Sequence, residues 1–96
     1  MALTIFWTKR ASSDFEGIQQ YLENEWTERE VKKFTLHTFY FIDQLAIYPR
    51  LLPPGPRKNT HRGPINKHTI LTYRYWPRKK QIEIISLRGT RQKPSQ

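Results

Sequence analysis

His68-Thr-Ile-Leu-Thr-Tyr-Arg-Tyr-Trp76 and Gln81-Ile-Glu-Ile-Ile-Ser-Leu-Arg88 stand on either side of the basic turn Pro77-Arg-Lys-Lys80. Both runs are rich in Ile, Leu, Thr, Tyr or Trp, side chains that suit a pleated, half-buried surface. They read as two β-strands joined by a short charged turn. Alternation assigns Leu71, Tyr73 and Tyr75, with Ile85 and Leu87, to a core face. It assigns His68, Thr72, Arg74, Ser86 and Arg88 to the opposite face. Ile70, Ile82 and Ile84 then fall on the polar side, and a one-residue slip would exchange the faces.

Working back from this hairpin, Asn59 to Ile65 reads as a further strand beside it, with Gly63-Pro64 at an edge or bulge. Before it, Pro49, Pro53, Pro54, Gly55 and Pro56 exclude regular structure. Val31, Phe34, Thr38, Phe41, Leu45 and Tyr48 recur at three and four residues, the spacing of one helix face. Thr27-Glu-Arg-Glu30 fits a capping box at the start of that helix, and Pro49 ends it. Upstream, Ser13-Asp-Phe-Glu16 fits another capping box, followed by Phe15, Ile18, Leu22 and Trp26 at near-helical spacing. The two helices are nearly contiguous, which predicts an antiparallel pair with a tight connection. Leu36, Phe39, Tyr40 and Ile47 exceed one stripe. They either bury against the first helix or form a patch for a partner. Leu3 to Thr8 reads as an opening strand closed by Lys9-Arg10.

The order strand, helix, helix, two or three strands predicts an α+β fold. Two consecutive N-terminal helices pack on one face of a small, mostly antiparallel sheet, and the other face carries much of the basic set. Ninety-six residues suit one domain spanning 1–96. With no cysteine there is no disulfide framework and no thiolate metal site. No apolar run approaches the ~20 residues of a membrane span, and no signal peptide is visible. The expected location is the cytoplasm.

The net charge of +9 is segregated. Residues 1–49 carry five Lys/Arg against seven Asp/Glu, whereas residues 50–96 carry twelve against one, Glu83. Such asymmetry points to a polyanionic target or an acidic protein partner.

The chain resembles toxins of the RelE/ParE superfamily from bacterial type II toxin–antitoxin modules. The resemblance runs from Ile5-Phe-Trp-Thr8, through Ala11, Phe15, Ile18 and Tyr21, to Phe34, Ile42, Leu45 and Pro49. It continues in Lys67-His68, in Leu71-Thr-Tyr-Arg74, in Ile82-Glu-Ile-Ile-Ser-Leu87 and in the tail Thr90-Arg-Gln-Lys-Pro94. It implies a compact RelE/ParE-like toxin that blocks growth and is neutralised by a cognate, acidic antitoxin, with which it forms a hetero-oligomer. The superfamily holds two actions. RelE-like members cut mRNA on the ribosome without metal; ParE-like members poison DNA gyrase. A plain nucleic-acid-binding module is the reading from another class.

Metal-free RNA cleavage needs a base, an acid and cations that stabilise the phosphorane. If the chain is a nuclease, Arg91, Arg74 and His68 are its catalytic candidates. Arg62, Lys67, Arg74, Arg88, Arg91 and Lys93 are the expected target-binding set. Leu36, Phe39, Tyr40, Arg57, Arg62 and Arg88 are the expected antitoxin-binding set. No metal and no cofactor is expected. Each residue also has a plainer role. His68 would bond at the start of its strand, Arg74 would pair with Glu83 across the hairpin, and Arg88 and Arg91 would solvate an edge. Trp76 and Tyr75 would pack rather than stack on bases. The late Tyr or His of the nucleases is missing after the final strand, and Ile70 stands where they carry an arginine. Both features tilt the expectation towards the gyrase-directed action.

Overall fold

The computed structural model describes residues 2–66 and 69–89. The order is β1 (Thr4–Trp7), α1 (Lys9–Glu25), α2 (Glu28–Leu45), β2 (Thr60–Asn66), β3 (Thr69–Trp76) and β4 (Gln81–Gly89). The sheet runs β1-β4-β3-β2, with β1 parallel to β4 and the other pairs antiparallel. Two helices followed by the three-strand meander is the expected α+β plan.

The first helix starts earlier than Ser13. Its N-cap is Thr8, which has an extended backbone and whose Oγ1 accepts the Ala11 N–H at 3.0 Å. Ser13 lies inside the helix and is exposed. The Ser-x-x-Glu pattern there is thus not a cap; the cap is the residue that closes β1. The second cap is where the sequence places it: Thr27 Oγ1 accepts from Glu30 N at 3.3 Å. Only Trp26 and Thr27 separate the helices, and Gln19 Nε2 donates to Thr35 Oγ1 across the pair at 2.9 Å.

Ala11, Phe15, Ile18 and Leu22 give α1 one buried stripe, and Val31, Phe34, Thr38, Ile42 and Leu45 give α2 another. Phe15 sits at the centre of an aromatic cluster, with ring centroids 5.6 Å from Trp7, 5.7 Å from Phe34 and 5.5 Å from Phe39. Tyr48, expected to extend the α2 stripe, is exposed, because the helix ends at Leu45 and the chain turns before reaching it. Leu36, Tyr40 and Ile47 are exposed at 62%, 65% and 59%, so they do not bury against the first helix. Phe39 is also exposed, at 44%, although its ring meets Trp7 and Phe15.

The hairpin faces need correction. Leu71, Tyr73 and Leu87 are buried as expected, but so are Ile82 and Ile84, while Ile85 turns to the other face. The cause is a β-bulge. Thr72 pairs with Ser86 and Tyr73 with Ile84, which leaves Ile85 as an extra residue on β4. One inserted residue shifts the period-2 pattern, so each half of β4 alternates correctly but out of phase with the other. Thr8 holds the bulge from the side. Its N–H donates to Ile84 O at 3.2 Å, and its Oγ1 lies 2.9 Å from Ile84 O and 3.1 Å from Ile85 O.

The proline-rich segment packs back on β2. Arg62 N donates to Pro53 O, and Gly55 N to Thr60 O. Leu52 is buried over Gly63, where an added Cβ would meet Leu52 Cδ2 at 3.1 Å. Tyr73 donates its hydroxyl to Pro49 O at 2.8 Å and accepts Leu52 N–H at 3.3 Å.

Candidate functional site

The bulge and the cross-strand register build one surface. Arg62 lies opposite Thr72, Thr72 opposite Ser86, and Ile70 opposite Arg88. Directly opposed residues point to the same side of a sheet, and residues two apart on one strand share that side. Thr60 and Arg62, Ile70, Thr72 and Arg74, and Ser86 and Arg88 therefore form a continuous outer face. The flank of α1 (Arg10, Asp14, Tyr21) and the turn at Pro56 and Arg57 wall it into an open groove of about 790 Å³.

Local structure fixes the arginines on its rim. At the turn, Arg57 N donates to Thr60 Oγ1 at 3.2 Å, and the same hydroxyl donates to Arg57 O at 2.6 Å. Asn59 takes the left-handed conformation that this tight return requires, with φ of 62°. Gly55 allows the approach, since a Cβ there would fall 2.8 Å from Thr60 Oγ1. On the other wall, Asp14 Oδ2 accepts the Leu87 N–H at 3.1 Å, where β1 no longer covers the edge of β4. Arg10 lies 3.8 Å from the same oxygen and forms the one ion pair among the described residues. Asp14 is the one carboxylate in the described lining, and it is already engaged.

Arg74 does not pair with Glu83 as expected, although the two are register partners. Glu83 Oε1 accepts from Trp76 Nε1 at 2.9 Å instead. The Arg74 guanidinium lies 5.4 Å from the Trp76 ring centroid, and Lys79 Nζ lies 4.8 Å from it. Arg74 Nε is screened from solvent and has no hydrogen-bond partner among the described residues. Arg50 lies over Tyr75 at 5.3 Å. Tyr75 and Trp76 thus pack under cations, in agreement with the packing role read from the sequence.

Of the residues singled out from the sequence, Arg57, Arg62, Arg74 and Arg88 meet in the groove. Lys67, His68, Arg91 and Lys93 lie outside the described residues. Leu36, Phe39 and Tyr40 belong to α2 and line no part of the groove, so the expected antitoxin-binding set spans two separate surfaces. Arg10, Asp14, Tyr21, Thr72 and Ser86 were not singled out as wall and floor residues. Arg10 hid because Lys9-Arg10 reads as the end of a strand, whereas it is the first turn of α1.

The two described histidines serve the fold. His61 is buried, donates Nδ1 to Leu52 O at 2.8 Å, and stacks on Tyr73 at 5.2 Å. His37 Nε2 reaches Ile65 O at 2.8 Å and ties α2 to β2. Among the described residues no group of three or more His, Cys, Asp or Glu is gathered as a metal site. No described helix is long and apolar enough to cross a membrane.

Comparison with known proteins follows this geometry. The structure is similar to one described as the chromosomal ParDE TA system from P. aeruginosa, with a TM-score of 0.77 and 13% identity over 92% of this chain and 96% of that one. It is also similar to the toxin–antitoxin complex RelBE2 from Mycobacterium tuberculosis, with a TM-score of 0.61 and 17% identity over 93% of this chain and 99% of that one. At such identities the likeness is one of fold. No curated protein matches significantly in sequence. The family described as ParE toxin of type II toxin-antitoxin system, parDE, matches residues 5–94. Nearly the whole chain is covered, and it belongs to the ParE toxin family of type II toxin–antitoxin systems.

Proposed function

We propose that this toxin acts on DNA gyrase by binding, through the basic groove, and that a cognate acidic antitoxin neutralises it. The observation that carries the reading is the lining of the groove: five arginines on the rim, hydroxyls of Thr72 and Ser86, and an apolar floor of Ile70 and Ile85. Guanidinium groups stay charged at every physiological pH, so they serve as fixed anchors for an anionic or polar surface. Ile70 lies in the floor opposite Arg88, at the position where the nuclease resemblance would put an arginine. The match to the ParE family supports the same choice.

The antitoxin reading uses both surfaces. An amphipathic segment would lay apolar anchors on Leu36, Phe39 and Tyr40, and place carboxylates on Arg57, Arg62 and Arg88. Chain lacking the segment would leave that apolar strip in water, where strips of this kind mark interfaces.

The test is a supercoiling assay with purified gyrase. Wild-type protein should inhibit, Arg62→Ala and Arg88→Ala should inhibit more weakly, and added antitoxin should restore supercoiling. Codon-specific cuts in mRNA after brief induction, abolished by Arg91→Ala, would instead make the chain a ribosome-dependent nuclease.

A further inference from the structure

We infer that the groove takes the phosphate backbone of duplex DNA, so that the toxin acts on gyrase through the DNA that the enzyme holds. The inference rests on the gyrase reading, since duplex DNA is what that enzyme handles.

Four observations lead to it. First, the cations of the described lining are all arginine, Arg10, Arg57, Arg62, Arg74 and Arg88, although the chain has eight lysines against nine arginines. A planar guanidinium offers the two-pronged donor geometry that matches phosphate oxygens. Second, the spacing is imposed by strands. Thr72 and Arg74 lie two residues apart on β3, or about 6.6 Å, and Arg62 and Ser86 flank Thr72 on the neighbouring strands. Such an array presents charge to a stiff, evenly charged rod rather than to a single compact anion. Third, hydroxyls of Thr72 and Ser86 sit among the arginines, and side-chain hydroxyls are common phosphate donors.

Fourth, the aromatic rings argue for a duplex over a single strand. Single strands are held by bases stacked on exposed rings. Here Trp76 lies under Arg74 and Lys79, and Tyr75 lies under Arg50. Tyr21 is the one ring in the described lining. With Trp76 and Tyr75 covered, one ring left in the lining and phosphate donors along the groove, recognition is of backbone and carries no base information.

The test is fluorescence anisotropy with a labelled mixed-sequence DNA duplex of about 20 base pairs, titrated between about 50 and 200 mM salt. Four to five neutralised phosphates give a slope of log K against log salt of about −4, or a loss of roughly 10²-fold across that range. A second, unrelated sequence should bind equally. Arg62→Ala and Arg88→Ala should each reduce the slope by about 1. Both residues are exposed, and circular dichroism checks that the variants fold. Lys32→Ala, on the outer side of α2, should leave the slope unchanged.

The inference is overturned by absence of binding at the low-salt end, or by slopes that Arg62→Ala and Arg88→Ala do not change. It is equally overturned if a single strand, an RNA duplex or an oligoglutamate of equal charge binds more tightly than the DNA duplex. The supercoiling assay on the same samples separates the two readings. Inhibition of gyrase without DNA binding removes this inference alone. DNA binding with the expected slope but no inhibition removes the gyrase reading alone.

Discussion

Tyr73 and Arg74 are neighbours in the chain and lie on opposite faces of β3. Tyr73 is fully buried, ring against His61, and its hydroxyl is satisfied by Pro49 O and Leu52 N–H. Arg74 lies in the groove, pairs with no carboxylate among the described residues, and leans on Trp76. The two faces differ in what they still lack. On the inner face every large group has its neighbours, so its residues answer for stability. On the outer face Arg62 and Arg88 are exposed and, like Arg74, form no ion pair among the described residues, so the proposed binding rests on them. The lesson is that mutations on the two faces should separate into two classes of phenotype.

The largest effect should come from the inner face. Leu71→Ala or Ile84→Ala empties a fully buried position and should cost about 2–5 kcal/mol in urea denaturation. The comparison breaks if either variant keeps its stability and loses gyrase inhibition.

Tyr73→Phe should cost less, about 1–3 kcal/mol, because it strands Leu52 N–H and Pro49 O without opening a large void. It also sharpens the contrast through pH. Burial raises the Tyr73 pKa above its ordinary 10.0, with the Leu52 N–H opposing that rise. The folded chain keeps this proton where the unfolded chain gives it up. The contribution is therefore whole below about pH 10 and is lost as pH climbs through the folded value. Wild-type stability should fall more steeply at alkaline pH than that of Tyr73→Phe.

Thr8→Ala should cost about 0.5–2 kcal/mol, since Thr8 caps α1 and also holds the bulge. Ser13→Ala should change stability by no more than about 0.5 kcal/mol, because Ser13 is exposed inside α1. Reversal of that order would restore Ser13 as the cap.

The smallest change in stability should come from the outer face. Arg62→Ala should stay within about 0.5 kcal/mol of wild type while weakening gyrase inhibition. Loss of folding in that variant would end the division between the faces.

The contrast between Thr8 and Ser13 also shows what the sequence could carry. Strand and helix order was legible from periodicity, and so was the Thr27 cap, because each depends on residues close in the chain. The Thr8 cap was not, since it is chosen partly by bonds to Ile84 and Ile85 some 76 residues away. The bulge was illegible for the same reason. Nothing in Gln81–Gly89 alone says that Ile85 is the inserted residue; Thr8 and Asp14 select it from across the fold. The groove was half legible. Arg62, Arg74 and Arg88 follow from alternation on the strands. Arg10, Asp14 and Tyr21 required knowing where α1 docks.

The parallel pairing of β1 with β4 has a consequence for the chain as it is made. Among the described strands β1 emerges from the ribosome first and β4 last, and β1 has no other strand partner among them. Until Gln81–Gly89 exists, Ile5 and Trp7 have no strand of the described sheet to pair with, and Thr8 has no bulge to hold. The groove is equally unassembled, because Arg88 is on β4 and Arg10 and Asp14 dock against it. Pairings this distant in sequence form late and slowly. An incomplete chain therefore lacks the groove, and whatever the groove does becomes possible only when synthesis has reached β4.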